Sequence, residues 1–251
     1  MKWESPWGLS YPGWHIECSA MSKRFLGEHF DIHTGGVDHI PVHHENEIAQ
    51  CKGAFGKNPA NFWMHVEFLL IDNGKMSKSL HNIYRILDLE KQGIEPLAYR
   101  LFCFSSHYRN KLNFTFEGAK AAQTSLNNLR KLFILHKNSD EKVENYILSE
   151  AENKFHEAIN DDLNLTLAMG IVWDLLKNET KSKQIAELIL KFDKVLGLDL
   201  ANAEKCQIKE NIDIPEEIEL LAQQRIEAKA NKDYQKADEI RAKIIQKGYN
   251  I

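Results

Sequence analysis

At 251 residues the chain has length for two domains by the usual allowance of about 100–200 residues each, and 43% hydrophobic with 27% charged residues excludes a disordered or fibrous protein. Thirty-two basic against 36 acidic residues leave a formal charge of −4, which excludes a polybasic nucleic-acid coat but not a local basic groove. The apolar runs, Ala168–Trp173 among the longest, fall far short of the roughly 20 residues of a membrane span. Met1-Lys2-Trp3-Glu4 opens no apolar h-region, and Cys18, Cys51, Cys103 and Cys206 form no CxxC pair. A cytoplasmic, reduced chain without membrane contact is expected, with a monomer as the default.

In chain order, Pro12 to Gly27 reads as a helix with a glycine stop, and Phe30–His33 as a short strand running into a Thr34-Gly35-Gly36 loop. His43 to Phe55 reads as a helix with Ile48 and Ala49 inward, and Val66 to Ile71 as one buried strand closed by an Asp72-Asn73-Gly74 turn. Strands alternating with helices predict a parallel α/β region. Beyond about residue 116 the period is helical. Asp161 to Asn164 offers a cap for a helix to Lys177 with Leu163, Leu167 and Ile171 on successive turns, and Lys183–Leu196 makes another, stopped at Gly197. Residues 201–214 are polar and aperiodic, predicting a linker. Pro215 then opens an amphipathic hairpin ending at Gly248, with Ile218, Leu221, Ala237, Ile240 and Ile244 beneath a charged face.

Three patterns carry chemistry. Lys75-Met76-Ser77-Lys78-Ser79 follows a strand and a turn, so its lysines project from a loop; such point charges suit phosphates whose charge grows in a transition state. Gly36-Val37-Asp38 sits at a strand end, where glycine admits a nucleotide and aspartate can accept hydrogen bonds from a ribose diol, although capping a helix is an equal use for it. His43 and Glu47, four apart on a helix, can converge on one ion, and Cys18 lies on another helix; cysteine, histidine and glutamate suit zinc. Spacing equally allows a surface pair and a core cysteine, and it leaves His39 and His44 as competing ligands.

Together GWHIECSAM (13–21), DIHTGGVDH with HHENEIAQ (31–50), KMSKSL (75–80), HYRNKLNF (107–114) and DDLNLTLAMGIVWDLLK (161–177) closely resemble cysteinyl-tRNA synthetases, a family of class I aminoacyl-tRNA synthetases. The resemblance implies an α/β fold, the second half of a Rossmann-like catalytic domain, followed by an all-α tRNA-binding region. It implies activation of cysteine with ATP (and magnesium) to cysteinyl-adenylate, then transfer to tRNA-Cys. By resemblance Cys18, His43 and Glu47 are zinc ligands, and Trp14 and His15 line the cysteine pocket. Gly36 and Asp38 contact ATP, and Lys75 and Lys78 stabilise its phosphates. Zinc would bind the substrate thiolate and separate cysteine from serine, whose hydroxyl is a poorer ligand. The expected organisation is a catalytic half over 1–90, a stem-contact segment over 91–115, a helical bundle of anticodon-binding type over 116–200, a linker over 201–215 and a hairpin over 216–251.

Two departures shape the expectation. The family carries an N-terminal half with a HIGH-type signature and a further zinc cysteine, and no HIGH-like sequence occurs here. A fragment inactive by itself is therefore expected, with residues 1–90 less stable than the helices. His81 stands where the family has glycine after KMSKSL, which stiffens the loop. The alternatives are a ligase joining cysteine to an amino sugar, and a non-catalytic tRNA- or partner-binding module.

Overall fold

A computed structural model of the chain describes residues 2–206, 216–230 and 233–247, in two compact units, Met1–Glu204 and Lys205–Ile251. The first unit opens with an antiparallel ribbon, β1 (Trp3–Ser5) on β2 (Gly8–Ser10). Helix α1 (Trp14–Leu26) follows and stops at Gly27, whose φ of 95° a side chain would resist. Strand β3 (Phe30–Gly36) and strand β4 (Ala60–Val66) pair in parallel from Phe30↔Ala60 to Gly36↔Val66, joined through helix α2 (Glu45–Phe55). A parallel pair requires such a crossover. The predicted loop at Thr34-Gly35-Gly36 is strand, because these residues find partners in Met64, His65 and Val66.

Two further expectations are corrected. A π turn over Ile40–His44 precedes α2, and the inward line is His43, Glu47 and Cys51; Ile48 is half-buried and Ala49 exposed. A four-residue spacing selects that line, and it carries polar groups that a hydrophobic pattern cannot see. The single strand expected over Val66–Ile71 breaks at Glu67, whose N–H donates to the Tyr108 carbonyl at 2.9 Å. The chain there changes partner: β5 (Leu69–Ile71) pairs with β6 (Gly74–Lys75) in antiparallel and with β7 (Leu112–Phe114) in parallel fashion. Between β5 and β6 the expected turn forms, with Asp72 at φ 48° and Asn73 at φ 63°, both left-handed as a two-residue type I′ hairpin demands.

Helices α3 (Ile86–Glu90), α4 (Pro96–Cys103), α5 (Phe116–Lys137), α6 (Asn145–Asn160), α7 (Leu165–Leu176) and α8 (Lys183–Leu196) enclose the main apolar core. Three of these helices start on a capping side chain: Thr115 accepts from Gly118 N–H, Asn164 from Leu167 N–H and Ser182 from Gln184 N–H. Leu126 and Phe133 of α5, Val172 of α7 and Ile189 of α8 are buried, and Phe155 of α6 stacks on Phe192 of α8 at 3.9 Å. In α7 the inward residues are Ala168, Met169, Val172, Leu175 and Leu176, whereas Leu163 and Leu167 are exposed, so the predicted face is rotated. Charged groups inside the core are paired. Arg130, only 1% exposed, makes a two-pronged bond to Glu95 with both arms at 2.9 Å. Buried His136 accepts from Ser182 N–H and donates to the Leu176 carbonyl, so it is neutral, and burial pushes its pKa down.

Residues 201–206, expected within a polar linker, belong to a 3-10 turn (Leu200–Asn202) and helix α9 (Ala203–Cys206), because Leu200 and Ala203 are buried. The rest of that stretch, with Pro215, lies outside the described residues, as does Gly248. In the second unit α10 (Glu216–Ala230) and α11 (Tyr234–Gln246) pack through Ile218, Ile240 and Ile244 with Leu221 against them, the expected hairpin core. No helix among the described residues is long and apolar enough to cross a membrane.

Candidate functional site

The site is built on the β3–α2–β4 crossover and the facing helix α1. Trp14, His15 and Cys18 occupy the first turns of α1, while the π turn and α2 bring up His43 and Glu47. One ligand atom each of Cys18, His43 and Glu47 lie within 4.8 Å of one another. His43 and Glu47 are buried, at 3% and 1% exposure, and Cys18 is half-buried. A carboxylate that deep needs a cation or donors. It faces His43 Nε2 through Oε1 at 3.0 Å. On its other side His43 meets His15, Nδ1 to Nδ1 at 2.8 Å, so one ring nitrogen is held while the other points at Glu47. Trp14 lies 4.1 Å, centroid to centroid, from the His43 ring. Burial, then the Glu47 charge, raise the Cys18 pKa; burial lowers that of His43. The donor set of sulfur, nitrogen and oxygen fits zinc, which would displace the thiol proton.

Gly36 ends β3, and Asp38 follows in a 3-10 turn. Asp38 is exposed, and its Oδ1 lies 2.3 Å from where a Cβ on Gly36 would stand, so the carboxylate folds back over bare backbone. Lys75 and Lys78 stand apart on β6 and the following 3-10 turn, both exposed and without an ion pair among the described residues. No hydrogen bond or ion pair joins them to the histidine cluster among the described residues.

Several contacts escaped the sequence reading, although it named His81, His44 and the HYRN and DDLN stretches. Asn82 staples the KMSKS turn, accepting from Ser77 N–H at 2.8 Å and donating to the Lys75 carbonyl at 3.0 Å. His81 holds φ 51°, the left-handed position at which the resemblance expects glycine. Gly35 has no room for a side chain: a Cβ there would come 2.6 Å from His44 and 2.7 Å from His39. His33, His44, His65 and Trp63 complete an aromatic cluster around Glu47. Asp162, itself at φ 53°, is gripped by Tyr108 and Arg109, which ties the HYRN segment to the turn before α7. A clustering of histidines in sequence was the one available signal; the pairings were not.

Known proteins resemble this chain along its whole length. A family model described as the class I (C) tRNA synthetase catalytic domain matches residues 1–124. The fold is similar to that of Agrobacterium radiobacter K84 agnB2 LeuRS in its ternary complex with tRNA and LeuAMS, with a TM-score of 0.59 over 81% of this chain and 33% of that one at 14% identity. Fold and family model define a class I aminoacyl-tRNA synthetase region. The chain is 43% identical to cysteine–tRNA ligase 1 of Burkholderia lata, over 100% of its own length and 52% of the relative's. It is 41% identical to the cysteine–tRNA ligase of Brachyspira hyodysenteriae (99% and 56%) and 42% to that of Hydrogenovibrio crunogenus (99% and 55%). The chain belongs to the cysteinyl-tRNA synthetase family. It spans about half the length of the relatives it matches.

Proposed function

We propose that the chain carries the amino-acid-selecting and KMSKS parts of a cysteine–tRNA ligase, an enzyme that forms cysteinyl-adenylate from cysteine and ATP and passes the cysteinyl group to tRNA-Cys. The observation that carries this reading is the convergence of Cys18, His43 and Glu47 within 4.8 Å beside Trp14 and His15, in a chain related throughout to cysteine–tRNA ligases. Cys18, His43 and Glu47 would hold zinc, whose affinity for sulfur selects a substrate thiolate over a hydroxyl. His15 orients His43, and Trp14 walls the cluster where an amino acid of cysteine's size would sit. Gly36 and exposed Asp38 would contact ATP, Asp38 as an acceptor of hydrogen bonds from a ribose. Lys75 and Lys78 supply positive charge to the ATP phosphates as the adenylate forms. Residues from about 116 onwards face the tRNA in this reading.

Cysteine-dependent ATP–pyrophosphate exchange tests it, on the chain by itself and with the N-terminal half of the Burkholderia lata relative added. The chain by itself is expected to give no exchange, and the added half to bring exchange that needs cysteine, ignores serine and falls about 10²–10³-fold in Lys78→Ala. Exchange indifferent to cysteine, or unchanged in Lys78→Ala, would overturn it.

A further inference from the structure

Asp162 and Leu163, in the turn before α7, hold φ of 53° and 57°, two successive side-chain-bearing residues in the left-handed region. L residues enter that region at a steric cost and stay there where neighbours fix them. Here the neighbours belong to one segment. Tyr108 Oη donates to Asp162 Oδ1 and Arg109 Nε to Oδ2, while His107 Nε2 donates to the Asp162 carbonyl at 2.9 Å. The gripping groups are themselves held: Arg109 N–H donates to His107 Nδ1 at 3.3 Å, and the Arg109 guanidinium lies 5.2 Å from the centre of the Tyr108 ring. The Arg109 bond, then the Tyr108 bond, hold the Asp162 carboxyl below the usual carboxylate range. Asp162 is exposed, and an exposed ion pair adds little to stability, so stability alone does not account for so convergent a grip.

The gripping segment stands at the joint between two sheets. Strand β4 ends at Val66, paired with Gly36, and the next N–H, that of Glu67, donates to the Tyr108 carbonyl at 2.9 Å. Beyond Glu67 the chain enters the other sheet, where β5 pairs with β7 from Leu69↔Leu112 and with β6 through Leu70↔Lys75. Strand β7 follows directly on the HYRN segment, and its Asn113 Oδ1 accepts from Asn73 N–H at 2.7 Å, bracing the β5–β6 turn. A shift of Tyr108 therefore moves the joint at Glu67 and, through β7, the strands that lead to the KMSKS lysines.

We propose that Asp162 is a positioning residue: through Tyr108 and Arg109 it fixes the angle at Glu67 between the β3–β4 pair, beside the amino-acid site, and the β6–β5–β7 sheet, which presents Lys75 and Lys78 to the phosphates. The inference rests on the function proposed above. Both parts must act on one pair of substrates, and a misplacement on the order of 1 Å can lower a rate about 10²-fold.

Asp162→Gly separates positioning from folding, because glycine accepts a φ of 53° without strain while the carboxylate is lost. In ATP–pyrophosphate exchange with the N-terminal half of the Burkholderia lata relative added, it should lower kcat about 10–10²-fold and leave KM for cysteine unchanged. Asp162→Asn, which still accepts from Tyr108 and Arg109, should restore most of the rate. Tyr108→Phe should lower kcat in the same way, and it serves if Asp162→Gly fails to fold by circular dichroism. In the full chain by itself, amide exchange in Asp162→Gly should quicken at Glu67 and in β5 while α6 and α7 keep their protection. An unchanged kcat, or protection lost from α6 and α7 and not from Glu67, overturns the inference and leaves Asp162 as a brace of the helix turn. No cysteine-dependent exchange by the unmodified pair overturns the functional reading instead, and the amide result then decides the Glu67 joint by itself.

Discussion

The segment from α1 to β4 and the bundle from α4 to α8 bury opposite kinds of residue. Between Trp14 and Val66 the buried apolar side chains are Cys51 and Ala60, while Ser19, His43, His44 and Glu47 are buried with them. Phe25, Ile32 and Phe62 of the same segment are exposed, Phe62 at 70%. In the bundle the reverse holds: Leu126, Phe133, Phe155, Ile189 and Phe192 are inside, and the buried Arg130 has Glu95 as its ion-pair partner. Burial of apolar surface is the main stabilising term in a fold, at about 25 cal/mol per Å². The bundle therefore has the larger apolar support, whereas the interior of the first segment is filled largely by polar and titratable groups. A parallel pair of strands normally has both faces covered, and here apolar side chains on it meet solvent.

Several experiments would break or sharpen that contrast. The largest effect is expected in the bundle: Phe192→Ala removes one ring of the Phe155 stack and should cost about 3–5 kcal/mol by denaturant unfolding. Within the first segment, Gly35→Ala drives a methyl into the His44 and His39 rings; about 1–3 kcal/mol of destabilisation is expected, read as faster amide exchange in β3 and α2 with the bundle unchanged. Acid should act on the same segment. Burial, then its histidine neighbours, hold His44 at about 4, so between its unfolded value near 6.5 and about pH 4 the unfolded chain binds the extra proton. Stability is thus fully present above about 6.5 and is lost as pH falls. Hydrogen exchange near neutrality and near pH 5 should show β3 and α2 opening first; equal protection of both regions would contradict the contrast itself. His81→Gly relieves a left-handed backbone but loosens the unfolded chain, and these offset to leave less than about 1 kcal/mol. Phe62→Ala, at an exposed position, should stay within about 0.5 kcal/mol.

Several local features were legible in the sequence because their rules are local. Gly27 and Gly197 end helices as expected, Asn164 starts one, and Asp72-Asn73 makes the turn between β5 and β6. Each depends on one residue's own φ or side chain. Faces were less legible: the turn at Asp161–Asn164, bent by left-handed Asp162 and Leu163, rotates α7 so that Leu167 turns outward. The break at Glu67 depends on Tyr108, forty-odd residues away, and no local pattern announces it. Of the candidate site, Cys18, His43 and Glu47 were visible as residue types that suit zinc, and the structure brings them together. Gly36 ends β3 and Asp38 follows it, whereas Lys75 lies on β6 of a separate sheet and Lys78 on the turn after it.

By itself the sequence determined the family, through motifs quoted along the whole chain, and the order of an α/β region followed by helices. It also determined where most helices start and stop, since caps, glycines and turn residues act within a few positions of themselves. Only the tertiary structure decided which of the competing histidines meet Glu47. His43 reaches one oxygen along its own helix, but His33 arrives from a neighbouring strand, and His44 is held by His65 and Trp63 from β4. Spacing along one helix is read from sequence, while convergence between elements depends on how the crossover packs.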